Sequence, residues 1–394
     1  MTLTDRSWRR NKSYSQWVRD ALARARMNGA AVSTLFDSSV PEPREMLREL
    51  IAGAVEPEFS RYFTSAFGDG NPHVLAMLAE SYGVDAAQIL CTSGATTGLS
   101  LVYRTLARPG DHILVETPGF DLFGDLAASQ GLETETFERS GDRFDIDLDT
   151  IEPLIRPNTR LIVISNLHNP SGMALAQDKM VALAALAERY GIFVLVDEVY
   201  GDYASAEVRP CAAANISPHM ISVSSLTKIY GLAVLRCGWI VGNPDIMREI
   251  RALSARVEFS VSSLSHALSA HVLAQRHMFD GYSADAVAKT RPIFERWAAD
   301  MQREGLIGGE LPQFGCICFP SLPGIDDSEA FSEWLGDTSG VLVAPGECFG
   351  APGHIRIGFA QPVETIGRSL DTLGEGLRAF GRARQQGTVL RSSR

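Results

Sequence analysis

Five short runs, HILVE, LIVIS, IFVLVD, MISVSS and GWIVG, limit what this chain can fold into more than any other feature. A strand with one wet face alternates apolar and polar residues at a period of two. These runs carry no such alternation, which is the pattern of strands buried on both faces of a mainly parallel sheet. Amphipathic helical stretches separate them. In QDKMVALAALAERYG, Met180, Leu183, Ala184 and Ala187 recur on one face and Gly191 supplies a stop. Strand and helix in alternation predict an α/β fold of three layers, helix, sheet, helix. Ligands of open sheets of this kind lie beyond the carboxyl ends of the strands, where Asn169, Asp197 and Ser225 fall. After about Asp285 the pattern changes to long helical stretches, TRPIFERWAADMQREG and SEAFSEWLG, with strand-like FGCICF and HIRIGFA, which predicts a second, smaller α+β domain. A chain of 394 residues with 45% hydrophobic content can bury a core for both.

The stretch SSLTKIYGLAVLRCGW sets Lys228 between Ser225 and Arg236. An amine, a hydroxyl and a guanidinium in so short a span are what a phosphorylated aldehyde needs to be held both covalently and ionically. Lys228 alone would read as a surface lysine after a strand. Asp197, however, ends the run IFVLVD, and Tyr200 follows it by three residues in DEVYGDY. In NLHNPSG, Asn169 and Pro170 follow LIVIS. In SGATTGL, Gly94, Ala95 and Thr96 open a helical pattern, and a helix start offers N–H groups and its positive dipole end to an anion. Taken together and in this order, these segments resemble the class I/II aminotransferases among the fold-type I pyridoxal-phosphate enzymes, from about Phe36 to about Ala360.

The resemblance implies a large cofactor-binding domain over residues 56–284 and a small domain from residues 1–55 and 285–394. It implies pyridoxal 5'-phosphate as cofactor, carried by Lys228 as a Schiff base, with Lys228 also the acid and base at the substrate. Asp197, rather than neighbouring Glu198, would pair with the ring nitrogen, and Asn169 and Tyr200 would hydrogen-bond the phenolic oxygen. Gly94, Ala95, Thr96, Ser225 and Arg236 would hold the phosphate. Phe120 would lie against the ring, and Tyr62 would reach the phosphate of a second subunit. Arg356, with Asn169, would take the substrate α-carboxylate, for which a guanidinium is a bidentate fork. Two positions depart from the family pattern, where glycines are common: Val234 before the phosphate arginine, and Ser39, which would stand at the substrate carboxylate and narrow or rewire its pocket. The implied reaction is a ping-pong transfer of an amino group between an L-amino acid and a 2-oxo acid in a homodimer. The distal part of the substrate stays open, since Arg256 lies in a charge-rich helical stretch where a solvated face is the ordinary explanation. β-Lyases, decarboxylases and synthases share the scaffold. So do regulators that use it as an effector-binding module, but they carry a DNA-binding domain ahead of it, for which the N-terminal segment is too short.

A net charge of −11 argues against general affinity for nucleic acid or anionic membranes. No run is long enough to span a bilayer, and MTLTDRSWRRNKSYSQW lacks the apolar centre of a secretory signal, so cytoplasmic residence is expected. The six cysteines are scattered, as small apolar residues rather than a disulfide framework. Cys316 and Cys318 have no companion Cys or His pair at zinc-site spacing, and no metal is expected. The basic tail GRARQQGTVLRSSR is expected to be a solvated end.

Overall fold

The structure, a computed structural model, describes residues 13–27 and 32–385. The first twelve residues of the N-terminal segment and residues 386–394 of the basic tail lie outside the described residues.

An eight-stranded sheet forms the centre, and all five apolar runs are strands of it. Its order is Ile89–Thr92, Gly238–Val241, Met220–Ser225, Phe193–Asp197, Thr159–Ser165, His112–Thr117, Glu133–Ser140 and Asp145–Ile146. The strands from Met220–Ser225 to Glu133–Ser140 pair in parallel, whereas Gly238–Val241 runs antiparallel to both its neighbours. Both faces are covered. Ile113, Val115, Leu161, Val163, Leu195 and Val223 pack on the helices Ala95–Leu106 and Pro244–Val257. Leu114, Ile162, Ile164, Val194 and Val196 pack on the helix Gln177–Tyr190, through the predicted Met180, Leu183, Ala184 and Ala187. Gly191 caps that helix at φ 63°, where glycine carries no Cβ penalty. The chain is thus the expected α/β fold with a large, mainly parallel sheet.

A second core gathers around a three-stranded antiparallel sheet, Ile317–Cys318, Ile355–Gly358 and Ala344–Pro345, with the helices Ser328–Ser339 and Val363–Gln385. The helix Arg276–Arg303 runs unbroken across residues 284 and 285. Its first half packs through Phe279 with Leu268 and Leu50, and its second through Phe294 and Trp297 with Ile355 and Phe359. The helix Arg44–Val55 also packs toward the large sheet, through Leu50 and Ala54 with Leu226 and Trp239. The N-terminal helix Tyr14–Met27 instead lies on the small sheet, where Trp17, Ala21 and Ala25 meet Phe36, Phe319, Leu342 and Phe349. Among the described residues, no helix is long and apolar enough to cross a membrane.

Candidate active site

The carboxyl ends of the parallel strands open on a cavity of about 190 Å³. It is lined by Ala95, Thr96, Phe120, Asn169, Asp197, Tyr200, Ser225, Lys228, Arg236 and Arg356, which are predicted site residues, together with Tyr14, Ser38, Leu99, Leu122, Val199 and Thr227. Larger clefts, of about 840 Å³ beside Asp121 and about 540 Å³ beside Arg139, hold no lysine.

At one end the helix Ala95–Leu106 begins after Gly94, which sits at φ 91°. A Cβ there would stand 2.5 Å from Arg236 Nη2, and one on Gly238 would stand 2.5 Å from the Gly94 carbonyl carbon. The two glycines therefore let the turn close against the arginine and its strand. Arg236 is exposed and donates from Nη2 to the Ser93 carbonyl at 3.3 Å. The Ser225 hydroxyl accepts from the Thr227 N–H at 3.4 Å. Helix-start N–H groups, the hydroxyls of Thr96, Ser225 and Thr227 and a guanidinium gather here, a donor set for a phosphate.

In the middle, Lys228 is half-buried in the cavity wall, and its ammonium donates to Ser38 Oγ at 2.9 Å. The protein atoms packed around that ammonium, with the Arg356 charge second, lower its pKa to about 8. Asp197 is buried, accepts from the Val199 N–H at 3.2 Å, and is pushed up to about 7, chiefly by burial. Glu198 turns the other way, pairing with Arg209 at 3.1 Å and accepting from the Ala213 N–H, so the strand end directs Asp197 alone into the cavity. His168 is likewise spoken for by Ser171 and the Pro118 carbonyl.

At the far end Arg356, on the strand Ile355–Gly358, is only 1% exposed. It donates from Nη1 to Asn169 Oδ1 at 2.8 Å, and from Nη2 to the Tyr14 hydroxyl at 2.6 Å and the Phe36 carbonyl at 3.1 Å. The Asn169 N–H donates to Ser165 Oγ, itself bonded to the buried Glu116–Arg139 pair, so Asn169 is anchored from the sheet.

Pyridoxal phosphate fits these residues. The buried Tyr200 hydroxyl makes no hydrogen bond of normal geometry, with Ser38 its polar neighbour, and so has a donor to spare for a phenolic oxygen. Asp197 is an acid whose ionisation burial opposes, and a protonated ring nitrogen would relieve that cost.

Other residues singled out in the sequence lie outside this cavity. Ser38, not Ser39, bonds Lys228, while Ser39 is half-buried outside the cavity wall. Tyr62 packs edge-on between the His73 and His271 rings, away from this chain's cavity. Val234 is 58% exposed, so the turn before Arg236 takes its bulk outward. Arg256 is exposed at the end of the helix Pro244–Val257. Tyr14, Ser38 and Thr227 were missed. Ser38 and Thr227 stand one residue from Ser39 and Lys228, so proximity could have found them, whereas nothing near Tyr14 in the sequence points to Arg356.

Comparison with known proteins gives the family. Residues 39–373 match the family model described as aminotransferase class I and II. Capreomycidine synthase of Streptomyces vinaceus is 30% identical over 304 residues, covering 76% of this chain and 77% of its own. An aspartate aminotransferase of Streptomyces avermitilis is 25% identical over 355 residues, covering 83% and 84%. The fold matches the crystal structure of a pyridoxal-phosphate-dependent aminotransferase from Streptococcus suis with a TM-score of 0.82 at 24% identity, over 93% of this chain and 97% of that one. With the family model spanning most of the chain, this protein belongs to the class I and II aminotransferases, pyridoxal-phosphate-dependent enzymes that move amino groups between amino acids and 2-oxo acids.

Proposed function

We propose that this enzyme takes the amino group of an L-amino acid held by its α-carboxylate at Arg356 and Asn169, with Lys228 moving the proton at the α-carbon. The observation that carries the reading is that Lys228, Asp197 and Arg356, from three separate segments of the chain, line one cavity. Pyridoxal phosphate, when bound, supplies the electron sink that lets the α-carbon give up its proton. Ala95, Thr96, Ser225, Thr227 and Arg236 would hold its phosphate, Asp197 its ring nitrogen, Tyr200 and Asn169 its phenolic oxygen, and Lys228 its aldehyde carbon, with Phe120 and Val199 as apolar walls. An amine with a pKa near 8 is partly neutral at pH 7 to 8, so Lys228 Nζ can both accept the α-proton and return it. Burying Arg356 strengthens its grip on a carboxylate, since charge pairs weaken in water.

Two further readings complete the proposal. A homodimer is supported by the exposed Phe59, Phe67, Phe259 and Leu264, an apolar face on the side that carries Tyr62 and Arg256. A cytoplasmic location is supported by Cys91, Cys211, Cys237, Cys316 and Cys318, which form no disulfide.

The likeness to a protein named capreomycidine synthase favours, as second reading, a synthase built on the same cofactor. One experiment separates them. The cofactor-loaded enzyme is mixed with single amino acids and no 2-oxo acid, and the products are identified by mass. Transfer yields one equivalent of 2-oxo acid per site and then stops. Continued turnover to another product would move the enzyme to the second reading.

A further inference from the structure

Tyr14 lies ahead of the family match, which begins at residue 39. It is built into the cavity wall, with both its hydroxyl and its ring against Arg356. Its hydroxyl accepts from Arg356 Nη2 at 2.6 Å and donates to the Phe36 carbonyl at 3.2 Å, which fixes the direction of the phenol proton. Its ring and that of Phe349 both meet the guanidinium, with Arg356 Cζ 4.6 Å from the Tyr14 centroid and 4.8 Å from the Phe349 centroid. The guanidinium thus rests against two rings, and its rotation is fixed by Asn169, Tyr14 and Phe36.

The ring is itself placed from outside the site. Tyr14 opens the helix Tyr14–Met27, and its N–H donates to Asp121 Oδ2 at 2.5 Å, next to Phe120 in the cavity wall. One turn on, the ring of Trp17, 1% exposed, lies 5.6 Å from that of Phe36 and locks the helix down. A surface tyrosine that touched Arg356 by chance would need none of this support. Burial also raises the Tyr14 pKa, so the phenol stays neutral and able to donate.

We propose that Tyr14 is the carboxylate-positioning residue of this enzyme: its hydroxyl, itself fixed by the Phe36 carbonyl, holds Arg356 in the orientation that takes the α-carboxylate of the amino acid and of the 2-oxo acid. The role rests on the reading of Arg356 as carboxylate holder. It also ties substrate affinity to the N-terminal helix.

The test uses Tyr14→Phe, which keeps the ring and removes the hydroxyl. The probes are 2-methylalanine, which has no α-proton to lose, and isopropylamine, the same amine without its carboxylate. Binding of each to the cofactor-loaded protein is measured by calorimetry, beside thermal midpoint and cofactor affinity. The expected result is about tenfold weaker binding of 2-methylalanine, the scale of one hydrogen bond to a charged group, with isopropylamine, midpoint and cofactor affinity within twofold. In an Arg356→Ala background the same change should add less than twofold. Unaltered 2-methylalanine binding in Tyr14→Phe, while Arg356→Ala weakens it, overturns the Tyr14 proposal alone. Equal losses for both probes overturn it too. If Arg356→Ala leaves carboxylate binding intact, the reading of Arg356 falls and the role of Tyr14 with it.

Discussion

Asp197 ends its strand with a carboxyl that the fold itself disfavours. Burial raises it from an ordinary value near 3.8 to about 7, with the Val199 N–H and the Lys228 charge only partly opposing the rise. Between those two values the folded chain binds more protons than the unfolded one, so this group makes stability fall as pH rises through that window. The penalty is complete above pH 7 and absent below pH 4. Asp197→Asn keeps the shape and removes the charge. In urea unfolding of the cofactor-free protein, the variant should be the more stable at pH 8, by about 4 kcal/mol at most, and little different at pH 4. Cofactor affinity should fall in the same variant, since a neutral amide cannot hold a proton on the ring nitrogen. A wild-type protein that keeps its lead at pH 8 would show that Asp197 is not carried at this cost.

The elements divide by how local their causes are. The parallel strands were legible because burial on both faces leaves an unbroken apolar run, and the helix Gln177–Tyr190 because its buried face repeats at helical spacing. The strand Glu133–Ser140 was not, because its outer position leaves it mostly exposed and it reads ETETFERS. Asn169, Asp197, Ser225 and Lys228 were legible since each ends or closely follows a readable strand, so chain order alone brings them to one edge. Tyr14 reaches Arg356 across 342 positions, a pairing made by the docking of a helix on the small sheet and by nothing in either neighbourhood. That docking has its own small cluster, Trp17, Ala21 and Ala25 against Phe36, Phe319, Leu342 and Phe349, separate from the clusters that hold the large sheet. Trp17→Ala should therefore cost roughly 3–5 kcal/mol locally rather than globally. Hydrogen exchange should show residues 18–27 losing protection while the strand Phe193–Asp197 keeps its own. Equal loss in both would mean that the helix and the large sheet unfold as one unit.

At the scale of the whole molecule, the cavity described within one chain leaves Tyr62 and Arg256 outside it, and both lie beside a face that is unusually apolar for a surface. Phe59, Phe67 and Phe259 are 71%, 67% and 72% exposed. The Phe67 and Phe259 rings meet at 5.3 Å, and a backbone bridge joins Phe67 to Ser260, so the segments around residues 59–67 and 257–264 form one surface. Aromatic side chains held this far out in water are stable partners only for another surface, and a twofold pair lets the same patch serve both copies. Phe259 offers a clean probe because it sits at φ 61°, a conformation that Asp tolerates better than Phe, so Phe259→Asp adds charge to the face without adding backbone strain. Sedimentation should find the wild-type protein dimeric at micromolar concentration and the variant's dimer at least about 30-fold weaker, the scale of a buried aromatic anchor. If Tyr62 or Arg256 completes the partner's site, dilution of the variant to monomer should also lower cofactor affinity, and returning to high concentration should restore it. A wild-type monomer with full activity would mean that one chain makes the whole site.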